Sequence, residues 1–411
     1  MTTSSDRRSN GLVFVLGATV VAGLSGYAIQ LLAAALLPDA GAYLSFSAFW
    51  STMYLLGSAV GGVQQEVARA TRPAVNAGPG QSLRPFTAVA ALAALLAAAA
   101  VGLLLGPVAF GEGSESLTPP LIAGLLGYVL TSVATGLFYG THRLTAVAAL
   151  IVTDAVLRGC AVVVALLLGL PLEVVALAIT LPFAIAVVAV WMAVRRSVVG
   201  SYALDVGTMR MARNAGHTVV AAAATGVMVT GMPLLFRIAL ADAPAATVAS
   251  ITLAVTLTRA PFIIPVMALQ SFLTVRFRDA ERETPRRLRH YLLLAAGVGV
   301  LAVGAGWFVG PWAVAWISNG QYGVSGVTSA LVVASAVLVG CLCITGPALL
   351  ARGRHAPYSA GWVVAAAATV ALLFFLPAGP ESRALFSLVA APIAGLLVHL
   401  VAIARSTPAP G

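Results

Sequence analysis

The sequence predicts an all-α membrane protein: twelve transmembrane helices in two six-helix lobes, related by a pseudo-two-fold axis along the membrane normal, with the N- and C-termini cytoplasmic. Three observations carry this expectation. The apolar bias covers the whole chain, arginine is concentrated in alternate loops, and the two halves of the chain echo each other.

Of 411 residues, 60% are hydrophobic and 9% are charged, and the mean hydropathy is +1.00. A soluble domain carries about a quarter charged residues, so most of this surface must face something other than water. About 20 apolar residues cross the roughly 30 Å hydrocarbon layer as a helix. A closed barrel needs two-residue alternation instead, and runs such as AVAALAALLAAAAVGLLL over 88–105 have none. The predicted spans are 11–37, 42–63, 86–110, 118–140, 144–169 and 172–194, then 216–240, 246–274, 291–317, 325–350, 357–377 and 384–404. The first begins after a basic start, as a signal peptide does, but it runs from Gly11 to about Leu37. That exceeds the ~7–15-residue core of a signal, so it reads as an uncleaved first helix.

Charge placement is an independent check. With the N-terminus inside, alternate segments hold Arg7, Arg8, Arg69, Arg72, Arg84, Arg143, Arg195, Arg196, Arg210 and Arg213, then Arg276, Arg278, Arg282, Arg286, Arg287, Arg289, Arg352, Arg354 and Arg405. The opposite side holds Arg383, with Arg237 near a helix end, and the acids Asp39, Glu112, Glu115, Glu173, Asp242 and Glu381. This is the positive-inside asymmetry, and one miscounted span would scramble it. It also reads the net charge of +10 as membrane topology, with no nucleic-acid partner. Every basic residue is arginine, which reads as genomic codon bias. Cys341 and Cys343 sit two apart on one helix and face different ways, so with Cys160 they read as buried thiols.

The chain divides into an N-terminal lobe, 1–200, and a C-terminal lobe, 201–411. A shift of 206 residues lays SFSAFWSTMYLLGSAVGGVQQEVARATR (45–72) over ITLAVTLTRAPFIIPVMALQSFLTVRFR (251–278). Gln64 then meets Gln270 and Arg72 meets Arg278, both copies running outside to inside. This is the pattern of a parallel repeat.

Ionisable side chains within a bilayer cost about 2.5–3.5 kcal/mol or more, so each needs an explanation. Asp154 and Arg158 stand four apart in the fifth span and share a face; this pairing is either structural or functional. Arg259 in the eighth span has no partner within a turn of its own helix and is expected to face a polar cavity. Arg237, with Asp242 nearby, can reach the external surface. Polar stripes support a cavity: Ser47, Ser51, Tyr54, Ser58 and Gln65 in the second span, Tyr128, Ser132, Thr135 and Tyr139 in the fourth, Thr252, Thr256, Arg259 and Gln270 in the eighth. Single hydroxyls serve packing or bond to their own backbone, but three stripes together favour a hydrated interior.

Pro182, Pro233, Pro261, Pro265, Pro347 and Pro392 interrupt spans and free carbonyls. Pro261 and Pro265, beside Arg259, are the expected hinges. Trp191, Trp312, Trp316, Trp362 and Tyr358 read as interfacial anchors, and His399 as a proton-relay candidate. The sequence shows no metal spacing, phosphate loop, nucleophile constellation or carboxylate pair, so no cofactor is expected and an enzyme has little support.

Residues FWSTMYLLGSAVGGVQQEVARA in the second span and LTRAPFIIPVMALQSFLTVRF in the eighth carry a resemblance. The chain resembles the multidrug/oligosaccharidyl-lipid/polysaccharide exporter superfamily, and within it the polysaccharide-biosynthesis, O-antigen (Wzx-like) flippase branch of actinobacterial type. Its twelve spans depart from the fourteen of lipid II flippases. The resemblance implies a two-lobed bundle in the bacterial plasma membrane whose central cavity opens alternately to each face. The implied substrate is a polyprenyl-diphosphate-linked oligosaccharide, moved from the cytoplasmic to the outer leaflet, with membrane lipids as surroundings and H+ or Na+ as coupling ion. Arg259, with Arg158 in the facing lobe, would bind the diphosphate by charge-assisted bonds. The competing reading is a drug or cation antiporter of the same superfamily, which needs acids in its cavity; Asp154 is the one expected there. A non-transporting scaffold is a third, disfavoured by the stripes and the buried arginines.

Overall fold

The computed structural model describes residues 4–74, 82–111, 113–278 and 283–405. Helix α1 (Ser4–Leu36) turns at once into α2 (Ala40–Ala70). Asp39 caps the second helix, its Oδ1 accepting from the Ala42 N–H at 2.8 Å. Helix α3 (Arg84–Ala100) continues through a π turn (Val101–Leu105) into α4 (Gly106–Phe110), where Pro107 lacks the N–H that a regular ladder needs. There follow α5 (Thr118–Gly140), α6 (Leu144–Leu167), α7 (Leu172–Val198), α8 (Thr208–Val229), α9 (Met232–Ala239), α10 (Ala245–Arg278), α11 (Thr284–Ile317), α12 (Gly326–Leu350), α13 (His355–Phe375) and α14 (Pro380–Ala404).

Among the described residues nine helices are long and apolar enough to cross a membrane, ten if α8 and α9 count as one span. The chain is therefore a multi-pass membrane protein. Two more helices of the expected twelve fall short of that measure for different reasons. In α2, 31 residues long, the hydroxyls of its stripe together with Gln64, Gln65, Glu66 and Arg69 dilute the apolar run. In α10 the described residues give an apolar run over Ala245–Arg259, and several side chains of the run that follows lie outside the described residues.

Four sequence expectations are corrected. The span drawn over 216–240 is not one rod: α8 ends at Val229, α9 starts at Met232, and the two bend by 71°. Gly231 followed by Pro233 explains the break, because glycine is free to turn and proline starts a helix but cannot continue one. Cys160, expected to be a buried thiol, is exposed; Asp242 pairs with Arg383 at 2.7 Å, and Arg237 is partly exposed. Trp362, expected at an interface, is 1% exposed; Trp312 and Trp316 do face outward, with rings stacked at 5.8 Å. The all-helical expectation also missed an antiparallel ribbon, β1 (Thr71–Pro73) with β2 (Tyr202–Leu204). Three-residue strands are too short to show a period. Arg143, on the turn between α5 and α6, donates to Ser197 Oγ at 2.6 Å and Ser201 Oγ at 3.3 Å beside the ribbon.

Prolines 182, 347 and 392 lie inside continuous helices α7, α12 and α14. The backbone of α10 is helical through 261 and 265; the side chains of Pro261 and Pro265 lie outside the described residues, as do Glu112 and Arg282.

Packing divides the chain into two units, Met1–Leu36 with Ala48–Gly226 and Leu37–Ser47 with Val227–Gly411. In the first, α1 packs on α6, α7 on both α5 and α6, and α3 on α5. In the second, α12 packs on α10, α11 and α14, and α13 on α14. The most apolar stretches of α5 and α12 are 67% buried, those of α3 17% and α11 6%, so α5 and α12 are central and α3 and α11 line the outside.

In the second unit a buried histidine ties three helices together. His399 on α14 lies 2.8 Å from the Thr345 hydroxyl on α12, and its Nε2 lies 3.0 Å from the Tyr358 carbonyl on α13. The carbonyl only accepts, so Nε2 carries the proton. Gly361 on α13 lies flat against this ring, where an added Cβ would overlap the imidazole. Gly361→Ala should lower stability by about 1–3 kcal/mol through overpacking. The thermal midpoint of the purified protein reads this, and Gly361→Ala combined with His399→Ala should lose less than the two single losses summed.

Candidate functional site

Among the described residues each unit holds one buried guanidinium, and the two are engaged differently. Arg158 sits on α6 and Arg259 on α10, each fourteen residues past its helix start, or about 21 Å at 1.5 Å per residue. Their side chains are 5% exposed or less.

In the first unit Arg158 is fully engaged. It pairs with Asp154 one turn back, as the four-residue spacing requires. Its Nη1 donates to the Tyr54 hydroxyl on α2 at 2.7 Å, with the Ile179 carbonyl of α7 at 3.5 Å. The guanidinium lies 4.0 Å from the centre of the Phe183 ring and 5.6 Å from that of Tyr54, within cation–π reach. Tyr128 of α5 stands edge-on to Phe183 at 4.8 Å, and Trp50 lies 4.8 Å from Tyr54. Four helices thus build an aromatic box around one ion pair. The box is not closed electrostatically, since the Asp154 Oδ1 is buried without a hydrogen-bond partner.

Arg259 in the second unit is much less satisfied. Its Nη1 donates to the Met228 carbonyl. That carbonyl belongs to the last turn of α8, whose ladder the break at Gly231 ends, so it would otherwise be an orphan. The Nε and Nη2 of Arg259 have no partner, and among the described residues no ion pair reaches it. A buried cation with one nitrogen engaged and two left without an acceptor is poised for an acceptor that is not part of the protein.

The other residues expected to line a cavity are placed variously. Ser51 is fully buried. Ser58 donates to the Tyr54 carbonyl at 2.8 Å, and Thr256 to Thr252 at 2.9 Å; both are the ordinary back-bonds of membrane helices. Gln270 is half-buried. Gln65 is exposed, and the next residue, Glu66, is the buried one at 2%.

Glu66, just past the predicted second span, is a second acid that packing buries. It accepts from Arg69 Nε at 2.7 Å and from Asn214 Nδ2 of α8 at 3.1 Å. The carboxylate raises the Arg69 pKa above its ordinary value, chiefly through the hydrogen bond. The same face of α2 continues the contact with α8. Thr218 donates to the Gly62 carbonyl at 2.9 Å, and a Cβ on Gly62 would strike the backbone of Thr218 and Val219. Ser58 packs against Gly226, an added Cβ there falling 2.7 Å from the serine Cβ. Positions 58, 62 and 66, one turn apart, therefore form a seam against 226, 218 and 214 on the antiparallel α8.

No family model matches the sequence. An uncharacterized protein of Mycobacterium bovis, Mb3654, is 33% identical over 395 residues, covering 95% of this chain and 91% of its own. The Mycobacterium tuberculosis protein Rv3630 is 32% identical over the same length and Rv1510 29% over 392 residues. The chain belongs to this mycobacterial protein family. Among solved structures, the lipid II flippase MurJ in an inward closed conformation superposes with TM-score 0.70 at 11% identity, over 96% of this chain and 88% of that one. An inward-facing multidrug resistance MATE family transporter of the MOP superfamily gives 0.63 at 13%, over 96% and 98%. A MOP superfamily transporter from Pyrococcus furiosus, described by the reverse polarity of its binding pocket, gives 0.56 at 12%, over 97% of both chains. At such identities the likeness is one of fold: this family has the MATE/MurJ-like helical fold.

Proposed function

We propose that this protein is a membrane transporter of the MOP superfamily that flips an anionic, lipid-linked saccharide, a polyprenyl-diphosphate-linked oligosaccharide, from the cytoplasmic to the outer leaflet by alternating access. The observation that carries the reading is Arg259, buried, with two nitrogens left without an acceptor and no carboxylate paired to it. A planar guanidinium in that state selects an anion that offers two acceptor oxygens side by side, such as a phosphate or diphosphate. The likeness of fold to a lipid II flippase supports a lipid-linked cargo. The mycobacterial relatives support a bacterial plasma membrane, and the arginine asymmetry supports cytoplasmic termini. Arg158 contributes less direct charge than its position suggests, because Asp154 neutralises it; its box orients the neighbouring aromatic rings.

A second reading, a drug or cation antiporter, draws on Asp154, whose Oδ1 is buried and unpartnered. That carboxylate would hold H+ or Na+, either as coupling ion of the flippase or as the centre of an antiporter. Deletion of the gene separates the readings. The flippase reading expects lipid-linked oligosaccharide to accumulate several-fold at the cytoplasmic leaflet, with drug susceptibility unchanged. Unchanged lipid-linked glycan together with raised drug susceptibility would overturn it in favour of the antiporter.

A further inference from the structure

A cavity of about 780 Å³ opens on the first unit between α3, α5 and α7, and Arg158 is not among its lining residues. Its volume lies within the ~300–1,000 Å³ of ligand pockets. The inner wall is apolar, formed by Ala91, Leu130, Val133 and Val187. The mouth is different: Arg84, Thr87, Trp191 and Tyr202 stand there. Arg84 begins α3 and Ala91 lies seven residues deeper, about 10 Å into the layer. The slot therefore runs lengthwise, polar at the end where arginines cluster and apolar below. By the positive-inside rule that end is cytoplasmic.

Charge at the mouth has one sign. Arg84 is exposed and forms no ion pair among the described residues. Arg195, also exposed, follows Trp191 by one helical turn and so rises on the same face of α7. The start of α3 adds the partial positive charge of a helix N-terminus. Trp191 and Tyr202 are the amphipathic rings that settle at headgroup level. No acid lines the cavity.

We propose that this slot is a binding site for an anionic phospholipid of the inner leaflet. The phosphate sits between Arg84 and Arg195 at the mouth, and one acyl chain lies against Leu130, Val133 and Val187. A basic mouth over an apolar slot between helices recognises just this combination of headgroup and tail. The site is independent of the transported substrate, since neither Arg158 nor Arg259 takes part.

The test uses the full-length protein reconstituted into vesicles that contain phosphatidylglycerol or phosphatidylcholine brominated along the acyl chain. Bromine quenches nearby tryptophan, and the Trp191 signal is the difference between the wild type and Trp191→Phe. Brominated phosphatidylglycerol should half-saturate that quenching at a mole fraction at least ~5-fold lower than brominated phosphatidylcholine. Arg84→Gln with Arg195→Gln should bring the two lipids level, and Ala91→Phe, which fills the slot, should remove the saturable quenching while the thermal midpoint holds. Equal half-saturation by both lipids in the wild type, or a preference that survives the arginine substitutions, overturns the proposal. So does a polyprenyl phosphate that displaces the brominated lipid at a tenth of its concentration, because the occupant would then be substrate-like.

Discussion

Arg259→Met is expected to slow transport by about thirtyfold or more with almost no loss of stability. Two opposing terms set the stability outcome. Removing a buried, unpaired charge from a membrane helix relieves about 2.5–3.5 kcal/mol. Leaving the Met228 carbonyl, Arg259's one partner, without a donor costs about 1–3 kcal/mol. The terms nearly cancel, so the thermal midpoint should move by only a few degrees. Transport, by contrast, loses its charge-assisted donors to the anion, worth ~2 kcal/mol or about thirtyfold for one such bond. Arg259→Lys keeps the charge but not the planar fork that serves a carbonyl and an anion together, so it should fall in between. Flipping measured in reconstituted vesicles decides the matter. Wild-type flipping by the methionine variant would remove Arg259 from the mechanism, and a large fall in thermal midpoint would mark it as a helix cap alone.

The pair in the aromatic box should behave in the opposite way, with large and asymmetric losses of stability. Breaking a buried ion pair costs about 3–5 kcal/mol because one charge is left uncompensated. The Asp154 side chain is 18% exposed and the Arg158 side chain 5%, so neither is rescued fully by water. Arg158→Met strands a carboxylate whose Oδ1 already lacks a partner, and it should cost the full amount. Asp154→Asn leaves the guanidinium still bonded to Tyr54 and lying on Phe183, so its cost should be about half. The double variant should recover at least ~2 kcal/mol relative to the sum of the single losses. Thermal midpoints of the four proteins, wild type included, test this. Additive losses would show that the two charges do not stabilise each other.

Which parts were legible in the sequence follows from the range of each interaction. Helical spans are written locally, in runs of apolar residues: the span drawn over 172–194 is α7, which runs four residues further, to Val198. The Asp154–Arg158 pair was also legible, because four-residue spacing on a helix places side chains together whatever surrounds them. Phe183 was not. In an apolar run it looks like any core aromatic, and only the packing of α7 on α6 brings its ring under Arg158. Glu66 was misread for a related reason. The apolar run of α2 ends near residue 63, which put the acid in a loop, but the helix continues to Ala70 and Asn214 of α8 buries it. Arg259 was correctly placed deep in its helix. Its bond to Met228 depends on the break at Gly231, and a contact across 31 residues has no local signature.

The seam between α2 and α8 also bears on how the polypeptide can be divided. The covalent connector at 199–207 precedes α8, yet α8 through Gly226 packs with the elements that come before the connector. It is held much as an exchanged arm is held in a swapped dimer, joined to one stretch of chain and docked on another. A nick in that connector would therefore leave a docked helix behind. Glu66, Gly62 and Ser58 would retain it without any peptide bond, and the two fragments would stay together as a non-covalent pair.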